Sequence, residues 1–212
     1  MTEQPLVSCI MPTANRQKYI PYALNNFLEQ DYPNAELIII DDGKESIFQL
    51  LPDDPRIYYF YVPPIGTTGL KRNYACERAN GEVIMHWDDD DWRAPDWISK
   101  QVDYLLSSSA DICGIEHVNF FSAVTDTFWK GTALNRNNPN TPGWLNGATI
   151  CYRKSFWEQH PFKDMQTAED DDFIKKSGAK TFAHDYIDGF VAILHPHNTT
   201  VKYFENPRHK RS

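Results

Sequence analysis

Residues 67–92 read "TTGLKRNYACERANGEVIMHWDDDDW": a helix-forming segment, a glycine, an apolar run and four consecutive aspartates, in that order. Thr67 or Thr68 suits the N-cap of a helix and Gly81 lies just past its end. The run "EVIMHW" is then a short buried strand, and the aspartates mark where it stops. Two unit charges ~4 Å apart repel by ~4 kcal/mol at an effective dielectric of about 20, so four in a row need positive charge beside them.

The preceding residues repeat this pattern. "LVSCIM" (residues 6–11) is a strand candidate closed by Pro12. Ile20, Ala23, Leu24, Phe27 and Leu28 fall at i, i+3, i+4, i+7 and i+8, which predicts an amphipathic helix over about residues 17–30, ended by Tyr32 and Pro33. "ELIIIDDG" (36–43) is apolar enough for a strand covered on both faces, with Asp41 and Asp42 at its carboxyl end. "RIYYFYV" (56–62) is a third strand, and Pro95 opens a further helix with Asp96 in its first turn. Beyond it, "ADICGIEHVNFF" (110–121) and "DTFWK" (126–130) read as strands, and "NRNNPNTPGW" (135–144) as a long loop. "EDDDFIKKS" (169–177) reads as a helix and "FVAIL" (190–194) as a late strand. Alternation of this kind predicts an α/β fold, a mostly parallel sheet flanked by helices, in one domain over residues 1–212. Ligands of such sheets bind beyond the carboxyl ends of the strands, where Asp41, Asp42 and Asp88 to Asp91 all fall.

Composition narrows the function. The chain of 212 residues is 41% hydrophobic and 14% aromatic, a globular balance. Its formal net charge of −8 argues against a nucleic-acid partner, which needs a basic surface. Apolar runs are strand-sized and "MTEQPLVSCIMP" lacks the marks of a signal peptide, so the expected location is cytoplasmic. A basic tail, residues 206–212, leaves room for weak peripheral contact with the inner face of a membrane. Cys9, Cys76, Cys113 and Cys151 are far apart in apolar contexts and read as reduced core thiols.

Acids at two neighbouring strand ends suit a divalent cation that in turn holds a diphosphate, and hard oxygen ligands favour Mg2+ or Mn2+ over zinc. The helix start near Thr67, with Lys71 and Arg72 one turn on, suggests an anion site beside it. Together these imply a nucleotide substrate.

The ordered set "MPTANR" (11–16), "LIIIDDG" (37–43), "GLKRNYACERANGEVIMHWDDDDW" (69–92), "GATICYRKSFW" (147–157), "AEDDDF" (168–173) and "LHPHNTT" (194–200) resembles the inverting family-two glycosyltransferases of GT-A fold. The resemblance implies a nucleotide-sugar-binding half over residues 1–110 and a smaller, mixed acceptor-side half over 111–205. It implies a metal-dependent transfer of a hexosyl group from a nucleoside-diphosphate sugar, UDP-linked by preference, to a hydroxyl of a glycan or lipid-linked acceptor. By the same resemblance Pro12, Asn15, Asp42 and Arg72 contact the nucleotide, and Gly147 lies under the donor sugar. The Asp-x-Asp signature falls on Asp88 and Asp90, the first toward the ribose and the last toward the metal, although four aspartates leave the register open to Asp89 and Asp91. Asp89 is grouped with the donor-binding set. Glu169 and Asp170 match the family's Glu-Asp motif, with Asp170 the general base, and His195, neighboured by His197, matches a late metal ligand. Ala14 departs from the tyrosine common at its position.

Plainer explanations stand beside these. Acids after a strand also cap the next helix, and acids in a first turn complement a helix dipole. Two other functions share the acidic crevice: a sugar-nucleotide nucleotidyltransferase, whose glycine-rich loop after the first strand "PTANRQKY" lacks, and a non-catalytic Ca2+- or sugar-binding module.

Overall fold

The computed structural model describes residues 4–131 and 145–199. Four parallel strands form the framework: β1 (Val7–Thr13), β2 (Ala35–Asp41), β3 (Ile57–Tyr61) and β4 (Val83–His86). β1 lies between β2 and β4, and β2 carries β3 on its other side. The crossover helix α1 (Ile20–Leu28) joins β1 to β2, and α2 (Thr68–Arg78) joins β3 to β4. After a two-residue strand β5 (Trp92–Arg93) and the helix α3 (Trp97–Ser108) come β6 (Ile112–Ile115), β7 (Asn119–Ser122) and β8 (Thr127–Lys130). The chain closes with β9 (Cys151–Arg153), α4 (Lys154–Gln159), α5 (Glu169–Lys176), β10 (Thr181–His184) and β11 (Phe190–Leu194). The main sheet runs β10-β6-β9-β4-β1-β2-β3, with β9 the antiparallel member, and a second sheet runs β5-β11-β7-β8.

The apolar run in β2 is continuous because both faces of the sheet are covered. Leu37 and Ile39 pack with Cys9, Met11 and α1 in one cluster, while Ile38 and Ile40 pack with Ile10, Ala75 and Cys76 in another. Side chains alternate along a strand, so each face receives every second residue. Fully burying one such side chain contributes about 1.5–3 kcal/mol, which outweighs any intrinsic strand preference. All four cysteines are free and buried in these clusters, as expected of core thiols.

Several boundaries differ from the expected ones. Pro12 does not close β1 but lies inside it. Ile10 accepts from Trp87 N on the β4 side, and Pro12, two residues on, faces the same side beyond the end of β4, where no ladder bond is lost. α1 begins at Ile20, with Pro21 in its first turn, after a turn in which Tyr19 N donates to Arg16 O. Asp96 is the N-cap of α3 rather than a first-turn residue, and its carboxylate accepts from the Tyr186 hydroxyl. The segment 110–121 divides at Glu116–Val118 into strands of two different sheets. β9 and β10 were not foreseen: three and four residues give too short a pattern to separate from loop. The long loop at 135–144 and the basic tail lie outside the described residues. Among the described residues no helix is long and apolar enough to cross a membrane.

Two buried histidines carry a pH consequence. Burial lowers His184 to about 4, in a place where its ring stacks on Tyr104 at 4.2 Å. Burial, aided by Arg72, also holds His86 well below its usual value. An unfolded chain takes up protons near pH 6.5 that the folded chain refuses until much lower pH, so stability falls as pH drops through 6.5. For His184 the loss levels off below about 4 and amounts to about 3 kcal/mol. Urea midpoints at pH 7, 5.5 and 4.5 should decrease in that order, and His184→Gln should flatten the decline. A flat wild-type profile contradicts the assignment.

Candidate active site

The carboxyl ends of β1, β2 and β4 meet on one edge of the main sheet, and the acids there divide into two kinds. Asp41 is fully buried and spent on the fold: it accepts from Tyr59 Oη at 2.8 Å, Gly43 N at 3.0 Å and Ile47 N at 3.3 Å. Asp42, one residue on, pairs with Lys71 Nζ at 2.8 Å and accepts from Ile65 N at 3.3 Å. Asn15 has a positive φ of 57° and its Oδ1 accepts from Lys44 N at 2.8 Å, joining the loop after β1 to the loop after β2.

The start of α2 is closed by protein rather than open to an anion. Gly69 N donates to Met165 O at 3.0 Å, and Thr67 Oγ1 donates to Asp164 Oδ1 at 2.8 Å. Thr67 is the N-cap, and a Cβ on Gly69 would stand 2.0 Å from Lys163 O, so this close approach needs glycine. The anion site expected at this helix start is therefore absent there. Arg72 instead turns into the sheet edge, 5% exposed, where Nε donates to Glu169 Oε1 at 3.1 Å and Nη2 to Asp88 Oδ1 at 3.2 Å. Its Nη1 is buried and meets no acceptor among the described residues. A buried unpaired donor costs about 1–3 kcal/mol, and this one lies on a guanidinium held between Asp88 and Glu169.

Each member of the acid run has its own partners, which is how four like charges coexist. Asp88 has Arg72. Asp89, 2% exposed, accepts from Thr13 Oγ1 at 2.5 Å and Arg16 Nη1 at 2.6 Å. Asp90 meets Arg16 Nη1 at 2.7 Å, His195 Nε2 at 3.0 Å and Asn198 Nδ2 at 3.2 Å. Asp91 is turned the other way and accepts from Ile193 N of β11 at 3.1 Å. Burial pushes Asp89 up to about 6 against the pull of Arg16, which leaves it a carboxylate at neutral pH. Burial opposes the Arg16 charge, but Asp89 and Asp90 hold its pKa above the ordinary arginine value.

Arg93, buried beneath the run, fastens it to the turn at Ala148. Nη1 donates to Asp88 O at 3.4 Å, and Nη2 to both His86 O and Ala148 O at 3.3 Å, with the guanidinium 4.4 Å over the Trp87 ring. Above it, the turn Gly147–Thr149 carries a carbonyl at Gly147 that lies 2.6 Å from His86 Nδ1. A carbonyl only accepts, so Nδ1 holds the proton. Gly147 meets α5 here: a Cβ on it would lie 1.5 Å from Asp170 Oδ2.

The acidic start of α5 is split by the same logic. Asp171 pairs with Lys175 at 2.9 Å, and Asp172 with Lys176 at 2.5 Å and Lys163 at 3.2 Å, which is ordinary helix-surface pairing. Glu169 goes to Arg72, and Asp170 goes to Gly147 and its own helix start, accepting from Asp171 N at 2.9 Å. Burial raises Glu169 while Arg72 draws it back. Arg72 thus joins Asp88 to Glu169, Gly147 stands against Asp170 on the same helix as Glu169, and Asp89, Asp90 and His195 are tied together around Arg16.

A model of the family described as "Glycosyl transferase family 2" matches residues 8–165. The chain belongs to that family. Among curated relatives of this glycosyltransferase family member, an uncharacterised glycosyltransferase of Haemophilus influenzae is 36% identical over 109 residues, which are 49% of this chain and 44% of that one. A GalNAc(5)-diNAcBac-PP-undecaprenol beta-1,3-glucosyltransferase of Campylobacter jejuni is 36% identical over 94 residues, 41% of this chain and 30% of its own. The chain thus spans less than half the length of these curated relatives. Staphylococcus aureus TarS 1-349 in complex with UDP-GlcNAc superposes with a TM-score of 0.75 at 19% identity, over 93% of this chain and 61% of that one. The mannosyltransferase PcManGT of Pyrobaculum calidifontis, in complex with GDP-Man and Mn2+, gives 0.67 at 18% identity, over 91% of this chain and 57% of its own. At such identities these two likenesses establish the GT-A fold.

The sequence reading passed over Thr13, Arg16, His86, Arg93 and Asn198. Arg16 sits at the carboxyl side of β1, so the strand-end rule that singled out the aspartates reaches it too. His86 is a polar residue inside an apolar run. Arg93 and Asn198 gave no signal of their own.

Proposed function

We propose that this family-two glycosyltransferase moves a sugar from a nucleoside-diphosphate donor, UDP-linked, to a hydroxyl of a glycan or lipid-linked acceptor with inversion at the anomeric carbon. The observation that carries the reading is Asp170 lying against Gly147, next to the Glu169 that Arg72 joins to Asp88. A carboxylate there suits removal of the acceptor proton as the hydroxyl attacks from the face opposite the diphosphate. Arg72, with one buried donor unspent, suits a phosphate or ribose oxygen of the donor. Pro12, Asn15 and Asp42 line the nucleotide end, Asp88 and Asp89 the ribose side, and Glu169 holds Arg72 and so the base beside it.

A divalent cation fits at Asp90 and His195. Asp90 Oδ2 and His195 Nε2 are donors 3.0 Å apart amid carboxylates, and a hard ion such as Mn2+ or Mg2+ takes its remaining ligands from the diphosphate and water. Among the described residues no group of three such side chains could hold an ion alone, so further ligands would have to come from the diphosphate and water. When bound, the cation neutralises charge on the departing diphosphate. The Campylobacter relative's undecaprenol-linked substrate favours a lipid-linked acceptor, and hence work at the cytoplasmic face of a membrane.

A panel of nucleotide sugars, assayed for hydrolysis with Mn2+ and after chelation, tests this. One donor should turn over, releasing nucleoside diphosphate, and chelation should lower the rate by about 10²-fold or more. Release of pyrophosphate in a separate incubation with a nucleoside triphosphate and a sugar 1-phosphate would favour a nucleotidyltransferase, and undiminished turnover without metal would remove the cation from the proposal.

A further inference from the structure

Arg16 occupies the place where a cation would meet Asp90. Its Nη1 is 2.6 Å from Asp89 Oδ1 and 2.7 Å from Asp90 Oδ2, while Nη2 donates to His197 O at 2.6 Å and Thr199 Oγ1 at 3.1 Å. Asp89 is anchored a second time by Thr13, so that end of the bridge is part of the fold. Asp90 Oδ2 is instead crowded by three donors, those of Arg16, His195 and Asn198. A carboxylate oxygen has two lone-pair directions, so an incoming ion finds none of them clear. Like charges also repel, so a divalent ion and a guanidinium cannot share this oxygen at contact distance.

The segment beyond β11 is held by the same arginine. His195 stacks on Tyr19 at 4.3 Å, its Nδ1 accepts from His197 N at 3.1 Å, and its own N donates to Asn198 Oδ1 at 2.8 Å. Accepting at Nδ1 puts the proton of a neutral ring on Nε2, where it is given to Asp90. To offer Nε2 to an ion, the ring must therefore let go of the His197 amide. Arg16, through His197 O and Thr199 Oγ1, helps to keep that amide in place, beside the Asn198 side chain, which donates to Ile193 O at 3.0 Å.

We infer that Arg16 is a resident competitor for the divalent cation at Asp90, and that loading the ion displaces the guanidinium and loosens the segment from His195 to Thr199. The inference rests on the cation assignment in the proposed function. It gives the protein a reason to take the ion together with the diphosphate: the nucleotide supplies the negative charge that a displaced Arg16 can follow.

Mn2+ titrated into nucleotide-free protein, read by loss of the free-ion electron paramagnetic resonance signal, tests it. If the Arg16-free form is populated below about one part in ten, Arg16→Gln should bind Mn2+ about tenfold more tightly than wild type, with Arg16→Lys nearer wild type. Millimolar methylguanidinium should weaken Mn2+ binding to Arg16→Ala and leave wild type unaffected. Equal or weaker Mn2+ binding by Arg16→Gln overturns the competition. Should Arg16 variants fail to fold, wild type suffices: Mn2+ should speed hydrogen exchange at the amides of His197 to Thr199, and slower or unchanged exchange overturns the inference. Mn2+ binding that survives Asp90→Asn in wild-type and Arg16→Gln backgrounds shows instead that the cation assignment itself is wrong.

Discussion

Asp170→Asn is expected to lower kcat for transfer by about 10³-fold while leaving UDP affinity unchanged, since a positioned general base contributes about 10²–10⁴-fold. The substitution keeps size and shape, so the contact with Gly147 and the bond from Asp171 N both have a counterpart in the amide. Arg72, which feels the Asp170 charge, remains paired with Glu169 and Asp88 and stays ordered. Calorimetric titration with UDP beside a product assay separates the two effects. Transfer retained at a substantial fraction of wild type would remove Asp170 from the base role and turn attention to Glu169, whose carboxylate is otherwise committed to Arg72.

Gly147→Ala should be nearly as damaging although it removes no catalytic group. The added Cβ would stand 1.5 Å from Asp170 Oδ2, 2.4 Å from Cγ and 2.7 Å from Cβ, far inside ordinary contact. The turn cannot easily retreat: His86 Nδ1 holds the Gly147 carbonyl at 2.6 Å, Arg93 holds Ala148 O, and Asn146 Oδ1 accepts from Ala148 N at 3.0 Å. Asp170 must therefore move, and a misplacement of about 1 Å at a catalytic group costs about 10²-fold in rate. Overpacking of this kind also costs about 1–3 kcal/mol of stability. Adding Asp170→Ala to Gly147→Ala should recover only part of the lost melting temperature, since the Cβ of residue 170 still stands at 2.7 Å, and should not restore transfer. A Gly147→Ala protein with normal kcat would show that Asp170 and this turn are not coupled in the working enzyme.

Much of this arrangement was legible in the chain. The alternation through residue 108 led to the parallel sheet, and the strand-end rule led to Asp42 and the acid run. The pairing of Asp171 and Asp172 follows a local pattern, because Lys175 and Lys176 lie four residues after them, whereas Glu169 and Asp170 were singled out by the resemblance alone. Local spacing failed wherever a partner came from far along the chain. The helix start at Thr67 looked like an anion site because Lys163, Asp164 and Met165, which close it, are almost a hundred residues away. The pairing of Asp89 and Asp90 with Arg16 was hidden for the same reason, since Arg16 lies 73 and 74 residues from the two it joins.

By itself the sequence determined which segments form the first four strands and that acids follow two of them, since periodicity and burial are short-range properties of neighbouring residues. Only the tertiary structure decided which acid is spent on the fold, which is paired with arginine and which stands against Gly147. Those outcomes depend on distances between segments that share no local pattern, and at these separations a difference of one ångström decides whether a charge is neutralised, a donor is left unpaired or a side chain has room.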